Sequence, residues 1–502
     1  NIRNILDLKK SYPTLSTFKL ERNYRSTQNI INAAGSLIEK NVDQIPKKVY
    51  SENSKGSKIE VVKSFSDYEE AYLVAARVSQ VKTATHDSYD EFAILYRTNA
   101  QSRILEEALR KRNIPYRIYG GLSFYQRKEV KDAVSYFRLS INPDDEEALK
   151  RIINFPARGI GETTLNKLTR TALDNNTSIW NVICDLGRFN PGVNSGTAKK
   201  LNAFRTLIES MIESSRNKNA YDAARFIIER TGMLAMFMSD STPESISRRE
   251  NIEELLAGAK EFTQSRFEEG EENATLNDFL ADISLATDQD LEKEGEGERI
   301  TLMTVHAAKG LEFNNVFIVG IEEELFPSAM SMDSPQQIEE ERRLLYVAIT
   351  RARNFCMMSY ASSRFRNGQT VLCKPSRFLG DIDSEYLRLT GGADFGSSYR
   401  QNVNPVANYK SQYNRLSSSA RNISSIRTPA PSTPASAQTG AGTGRHSASS
   451  LRPGMIIEHS RFGRGTIRQI DTSMTDDRIV VEFDNTGSKT LMLKYAQFEI
   501  IE

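Results

Sequence analysis

Residues 1–120 and 298–385 alternate short apolar runs with amphipathic stretches, and a long strand-poor stretch over 121–297 separates them. No other feature limits the fold as much. In the first block, STQNIINAAGSLIEKN places Ile30, Ile31, Ala34, Leu37 and Ile38 at helical spacing. EFAILYR (91–97) reads as a strand, Ser102–Arg112 as an amphipathic helix and IPYRIYGG as the next strand. Such a rhythm argues for a mostly parallel sheet. The second block repeats it: ITLMTV (300–305), NVFIVGI (315–321), a helix over Ile338–Ile349 and the strand FCMMSY. The middle block is rich in Leu, Ala, Glu, Lys and Arg at helical spacing and reads as all-helical. We expect the two α/β blocks to form one sheet domain with the helical block inserted. Glu268, Glu269, Glu271 and Glu272, followed by LEKEGEGER, read as a solvated tether at the end of the insertion.

Residues 386–451 turn to Ser, Thr, Ala, Gly, Asn and Pro, a composition that cannot bury a core. Between Asp394 and Glu458 there is no acid, yet several arginines and one lysine are present, so this linker is basic. Residues 452–502 read as two hairpins, MIIEHSRFGRGTIRQID and RIVVEFDNTGSKTLML, and predict a small SH3- or Tudor-like β barrel.

The 502 residues allow two to four domains, and a net charge of +1 gives no global signal for nucleic acid. Cys184, Cys356 and Cys373 show no CxxC spacing, which argues against a zinc site or a disulfide framework and for a reducing cytoplasm. No apolar run reaches the ~18 residues of a membrane span. The opening NIRNILDLKKSYP has neither an initiating Met nor a signal-peptide core, so a piece of a longer protein is expected.

Four segments carry chemistry. In LERNYRSTQNI (20–30) a Tyr-Arg pair offers a stacking ring and a guanidinium for phosphate, with Ser26 and Thr27 as helix caps. TVHAAKGLEF (304–313) puts His306, Lys309, Gly310 and Glu312 on one strand-end loop, at an edge where open α/β sheets place ligands. Glu312 can accept from sugar hydroxyls. EEERRLLYVAITRAR (339–353) projects Arg351 from a helix end, as an arginine finger requires, or as a basic last turn that complements the helix dipole. PARGIGETTLNKL (156–168) sets Gly-Ile-Gly before a helix N-terminus, which suits a phosphate but also simply connects helices.

Taken together, and in this order with YRTNAQSRILEEAL (96–109), GGLSFYQRKEVKDAVSYFRL (120–139) and SRFLG (376–380), these segments resemble the UvrD/PcrA/Rep group of superfamily-1 DNA helicases. The likeness runs from residue 1 to about 383 and resumes at about 452. It implies that 1–120 and 298–385 form the second RecA-like motor domain and 121–297 the helical insertion. It implies that Tyr24 stacks on adenine, Arg25 and Arg351 contact the γ-phosphate, and Glu312 holds the ribose beside Gly310. Thr304 and His306 would face single-stranded DNA, and Arg158, Gly159 and Gly161 the duplex phosphates at the junction. Arg97 and Phe365 are further DNA candidates, although a packed ring explains Phe365 as well. The terminal barrel resembles one that docks on RNA polymerase; repair proteins are other implied partners, and the bacterial cytoplasm and nucleoid the implied place.

One part of the pattern is missing. The sequence contains no GxxxxGK[ST] and no Gly-Lys dipeptide, and Asp90-Glu91 precedes a strand instead of ending one. The Walker motifs and Mg²⁺ ligands are therefore expected upstream of Asn1, and the chain alone is expected to be inactive toward ATP. Two other readings compete with a 3′–5′ helicase portion: a non-catalytic relic binding DNA and RNA polymerase, and a helicase–nuclease subunit of the AddA/RecB kind.

Overall fold

Strands from both α/β blocks join in one sheet. The computed structural model describes residues 12, 14, 16, 18–271, 273–292, 297–366, 369–390, 451–459, 462–472, 477–493, 496 and 498–501. Its first ten strands are β1 (Arg22–Asn23), β2 (Tyr50–Ser51), β3 (Ile59–Ser66), β4 (Phe92–Tyr96), β5 (Tyr116–Ile118), β6 (Ile300–Thr304), β7 (Phe313–Ile318), β8 (Ala352–Arg366), β9 (Gln369–Leu372) and β10 (Leu387–Thr390). β1 and β2 pair separately; the main sheet runs β10-β3-β8-β7-β4-β6-β5, with β9 beside β8. Every main neighbour is parallel except the β8–β9 hairpin.

Strand burial explains this arrangement. All five residues of β4 are buried, as a strand covered on both faces requires. Phe92, Ile94 and Tyr96 face the helices Asp67–Thr85 and Ser102–Lys111, packing with Val74, Val78, Leu105 and Leu109. Ala93 and Leu95 face the other way, toward Ile30, Leu37, Leu345 and Ile349 of the helices Gln28–Ile38 and Pro335–Ile349. The period of two thus sorts one strand into two cores.

The chain leaves the sheet after β5 and returns at β6, its neighbour. Between them every regular element among the described residues is helical. Their starts are capped by side chains: Asp145 accepts from Ala148 N, Asn194 from Thr197 N, and Thr242 from Ser245 N just ahead of Pro243. Val130, Phe137, Ile208, Ile227, Leu255 and Phe279 lie in their shared core.

Arg103, on the sheet side, reaches into the insertion. Its guanidinium donates to Glu254 at 2.7 Å and Glu261 at 3.1 Å, both on the helix Pro243–Glu268. Burial pushes the Glu254 carboxyl up to about 7, against the opposing pull of Arg103. A carboxyl raised in the folded state stabilises fully below its ordinary value of 4.5, and that contribution is lost as pH rises through about 7. About a fifth of the side chain still meets solvent, which trims the effect to roughly 1–3 kcal/mol. Glu254→Gln should flatten this part of the dependence; melting curves from pH 4.5 to 8 that superimpose for both proteins would disprove it.

The last strands, β11 (Ile456–His459), β12 (Gly463–Asp471), β13 (Arg478–Phe483), β14 (Gly487–Met492) and β15 (Phe498–Ile500), form an antiparallel sheet ordered β14-β13-β12-β11-β15. Both expected hairpins are present. Two expectations need correction. Residues 387–390, assigned to the linker, form β10, because Leu387 is buried and the segment pairs with β3; residues 391–450 lie outside those described. Glu268, assigned to a solvated tether, ends a helix and is 2% exposed. The three cysteines are free.

Candidate functional site

The NYRS segment is stapled to the start of β8. Asn23 Oδ1 accepts from the backbone N–H groups of Arg25 and Ser26, both at 2.9 Å. Ser26 Oγ donates to Ala352 O at 2.6 Å, and Thr27 N to Arg353 O at 3.0 Å. Ser26 is thus a strand anchor, not a helix cap. Thr27 occupies the cap position without a side-chain cap bond. The turn leaves the Tyr24 ring 73% exposed, with the Arg22 guanidinium 4.6 Å from its centre.

Arg25 points from this turn into a cluster of charge. Its Nε donates to Glu312 and its Nη1 to Thr350 O at 3.2 Å. Arg353 Nη2 donates to the other Glu312 oxygen. Arg353 and then Arg25 hold the Glu312 carboxyl below the usual carboxylate range. Arg351 lies beside them, donating to Val347 O at 3.0 Å and Leu311 O at 2.9 Å. Burial, and then the Arg25 charge, pull its guanidinium below its ordinary pKa, a cost that an anion would offset. Three guanidiniums face the Glu312 carboxylate, with Glu91 3.9 Å from Arg353, and leave an excess of positive charge beside an exposed aromatic ring. That donor set fits a polyphosphate carried on a flat base. Arg353 was missed by the sequence reading, although it stands two residues after Arg351 in TRAR.

The loop after β6 does not hold one polar cluster, as expected, but two separated ends. Thr304 closes β6 opposite Tyr96, the last residue of β4. Phe313 opens β7 opposite Ala352, the first residue of β8. In a parallel sheet these are opposite edges, so residues 305–312 climb from one to the other. Gly310 makes the climb with φ +93°, a conformation that an L side chain rarely adopts. Glu312 therefore joins the arginines, while Thr304 and His306 stay at the far edge. There Thr304 Oγ1 accepts from Ala307 N at 3.2 Å. His306 is surface-exposed, but its ring is partly withdrawn from water; that desolvation, and then Arg97, hold its pKa below the usual value. Arg97 forks onto Glu341 at 2.9 and 2.6 Å, which fixes two of its nitrogens.

The remaining candidates lie apart. Arg158 turns inward, donating to Ile152 O at 3.0 Å and Phe155 O at 2.8 Å over the Tyr136 and Phe204 rings. Gly159, at φ +68°, and Gly161, the N-terminal neighbour of the helix Glu162–Asp174, are exposed. The exposed cation of this turn is Lys200, which donates to Gly159 O at 3.1 Å and was not foreseen. Phe365 is half-buried, with Lys260 Nζ 4.0 Å from its ring centre. Just before it, Arg364 is buried between Glu322 and Glu70.

The model of the UvrD-like helicase C-terminal domain matches residues 18–363. The chain is 35% identical, over all of its length, to the ATP-dependent DNA helicase PcrA of Leuconostoc citreum, and 34% identical, again over all of its length, to DNA helicase II of Escherichia coli K12. It spans 65% and 64% of those proteins respectively. Against the PcrA of Bacillus subtilis it is 39% identical over 77% of the chain and 52% of the relative.

Proposed function

The chain belongs to the UvrD-like helicase family, and on that premise we propose that it is the C-terminal portion of an ATP-dependent 3′–5′ DNA helicase. The observation that carries the reading is the placement of Arg25, Glu312 and Arg351 together at one edge of the sheet. Tyr24 would stack on the adenine and Glu312 would accept from the ribose. Arg25 and Arg351 would meet the charge that develops as the γ-phosphoryl leaves. Arg353 would orient Glu312.

The loop 305–312 supports a coupling role. Its ends lie at the two sheet edges, so a shift of Glu312 toward nucleotide would be felt at Thr304 and His306, where single-stranded DNA would run. Gly159, Gly161 and Lys200 would touch the duplex ahead of the junction, with Arg158 holding the turn from inside. Arg97 would act mainly by positioning the helix that carries Glu341. Mg²⁺ and the phosphate cradle would be supplied by a Walker-bearing domain outside this sequence, so the chain alone should not hydrolyse ATP. The C-terminal sheet, read as a Tudor-like barrel, is a candidate site for RNA polymerase or repair proteins. No helix among the described residues is long and apolar enough to cross a membrane. On the likeness to bacterial DNA helicases we place the protein in the cytoplasm.

Joined to that Walker-bearing domain, the chain should turn over ATP in response to single-stranded DNA and unwind a 3′-tailed duplex. DNA binding without stimulated turnover would favour the relic reading instead. The intact arginine cluster argues against decay, since a binding relic has no use for it.

A further inference from the structure

Where β11 ends and β12 begins, the C-terminal sheet does not point away from the rest of the molecule. His459 is fully buried, and its Nε2 lies 3.4 Å from Oε1 of Glu268, at the end of the helix Pro243–Glu268 in the insertion. Phe462 packs against the His459 and Phe483 rings on its own side. It also meets Tyr68 edge-on across the interface, at 5.8 Å. Tyr68 belongs to the helix Asp67–Thr85 of the sheet domain. On that helix Glu69 accepts from Phe65 N with one oxygen, its own N–H donates to the N-cap Ser66 Oγ, and its other oxygen accepts from Asn485 at 2.8 Å. Two glycines at positive φ, Gly463 and Gly270, lie at this approach. A Cβ on Gly463 would lie 2.3 Å from Glu69, and one on Gly270 would lie 2.6 Å from Met492 Sδ.

We propose that the C-terminal sheet is an intramolecular brace: its His459, Phe462 and Asn485 seat it across the sheet domain and the helical insertion at once, and hold the two in one relative orientation. The contacts fall on two different bodies, which is what a brace requires and a merely parked module does not. The seat has a definite chemistry, a carboxylate for His459 and an aromatic edge for Phe462. A protein partner that reads the same turn must offer similar groups, and must take the module off its seat first. Partner binding and release of the insertion are therefore one event. This does not depend on the chain's reaction with ATP.

The test uses the whole 502-residue chain. Glu268→Lys puts a cation against His459 from outside the module; a basic residue at a helix C-terminus also suits that helix. Asn485→Asp adds a negative charge beside Glu69, where Glu458 and Asp484 already oppose it. In the double variant, small-angle scattering should show a larger maximum dimension. Amides at 68–70 and 265–270 should exchange about tenfold faster or more, while β12 and β13 keep their protection. Exchange around Arg103, at the sheet–insertion contact, should also rise. Scattering and exchange equal to wild type in Glu268→Lys would overturn the docking. A released module with unchanged exchange around Arg103 would overturn the brace.

Discussion

Arg351→Ala should lower ATP turnover of the assembled enzyme by about three orders of magnitude or more, the range over which arginine fingers act. The side chain is held by Val347 O and Leu311 O, so its position is set before any anion arrives. Burial and the neighbouring Arg25 disfavour its charge in the free protein. A developing negative charge at the γ-phosphoryl removes that penalty in the transition state, and such a difference raises turnover instead of merely tightening binding. DNA affinity should stay within about threefold, because Thr304 and His306, the proposed DNA contacts, sit at the other sheet edge. Arg351→Lys should recover little, since a compact ammonium cannot reproduce two separated guanidinium contacts. Stimulated turnover within tenfold of wild type would remove Arg351 from the mechanism and leave Arg25 as the sole candidate.

The largest expected loss of stability lies at Arg364. Its Nε and Nη2 donate to Glu322 at 2.7 and 2.8 Å, and Nη2 also donates to Glu70. Glu70 further accepts from Ser359 Oγ at 2.7 Å and Gly320 N at 2.9 Å, and Glu322 from Ala361 N at 2.7 Å. Burial drives the Glu70 carboxyl up, and Arg364 is the main force pulling it down. Arg364→Ala would leave two buried carboxylates facing each other, at a cost of about 3–5 kcal/mol. For a body of this size that is a fall of roughly 6–20 °C in melting temperature. The sign of the pH effect follows. Without Arg364 the carboxyls must be protonated to stay buried, so the variant should lose least at pH 5 and most at pH 8. Adding Glu70→Gln should recover part of the loss. A change below about 1 kcal/mol, or one insensitive to pH, would mean that water or a neighbouring cation replaces the guanidinium.

Much of this architecture is legible in the sequence, for reasons that are local. Strand β4 announces itself because a segment buried on both faces must be apolar throughout. The helices Ser102–Lys111 and Pro335–Ile349 follow from apolar spacing alone. β10 could not be read, because four residues at a sheet edge, half of them exposed, carry almost no pattern. Arg25, Glu312 and Arg351 stand out in the sequence and the fold brings them together, while Arg353 passes as part of a basic turn. Arg158 and Arg97 read as free cations, because a sequence does not show which carbonyl or carboxylate an arginine will meet.

The parallel sheet, the helical insertion and the terminal hairpins could be read from spacing along the chain, and the family from the likeness of its motifs. Which charges pair emerges only once the chain is folded. Glu312 meets Arg25 and Arg353, Arg103 crosses to Glu254, and Glu268 is buried against His459. These partners lie far apart in sequence, and an ion pair leaves no periodic trace. Its worth depends on how much water surrounds it, and that is fixed only when the distant segments pack together.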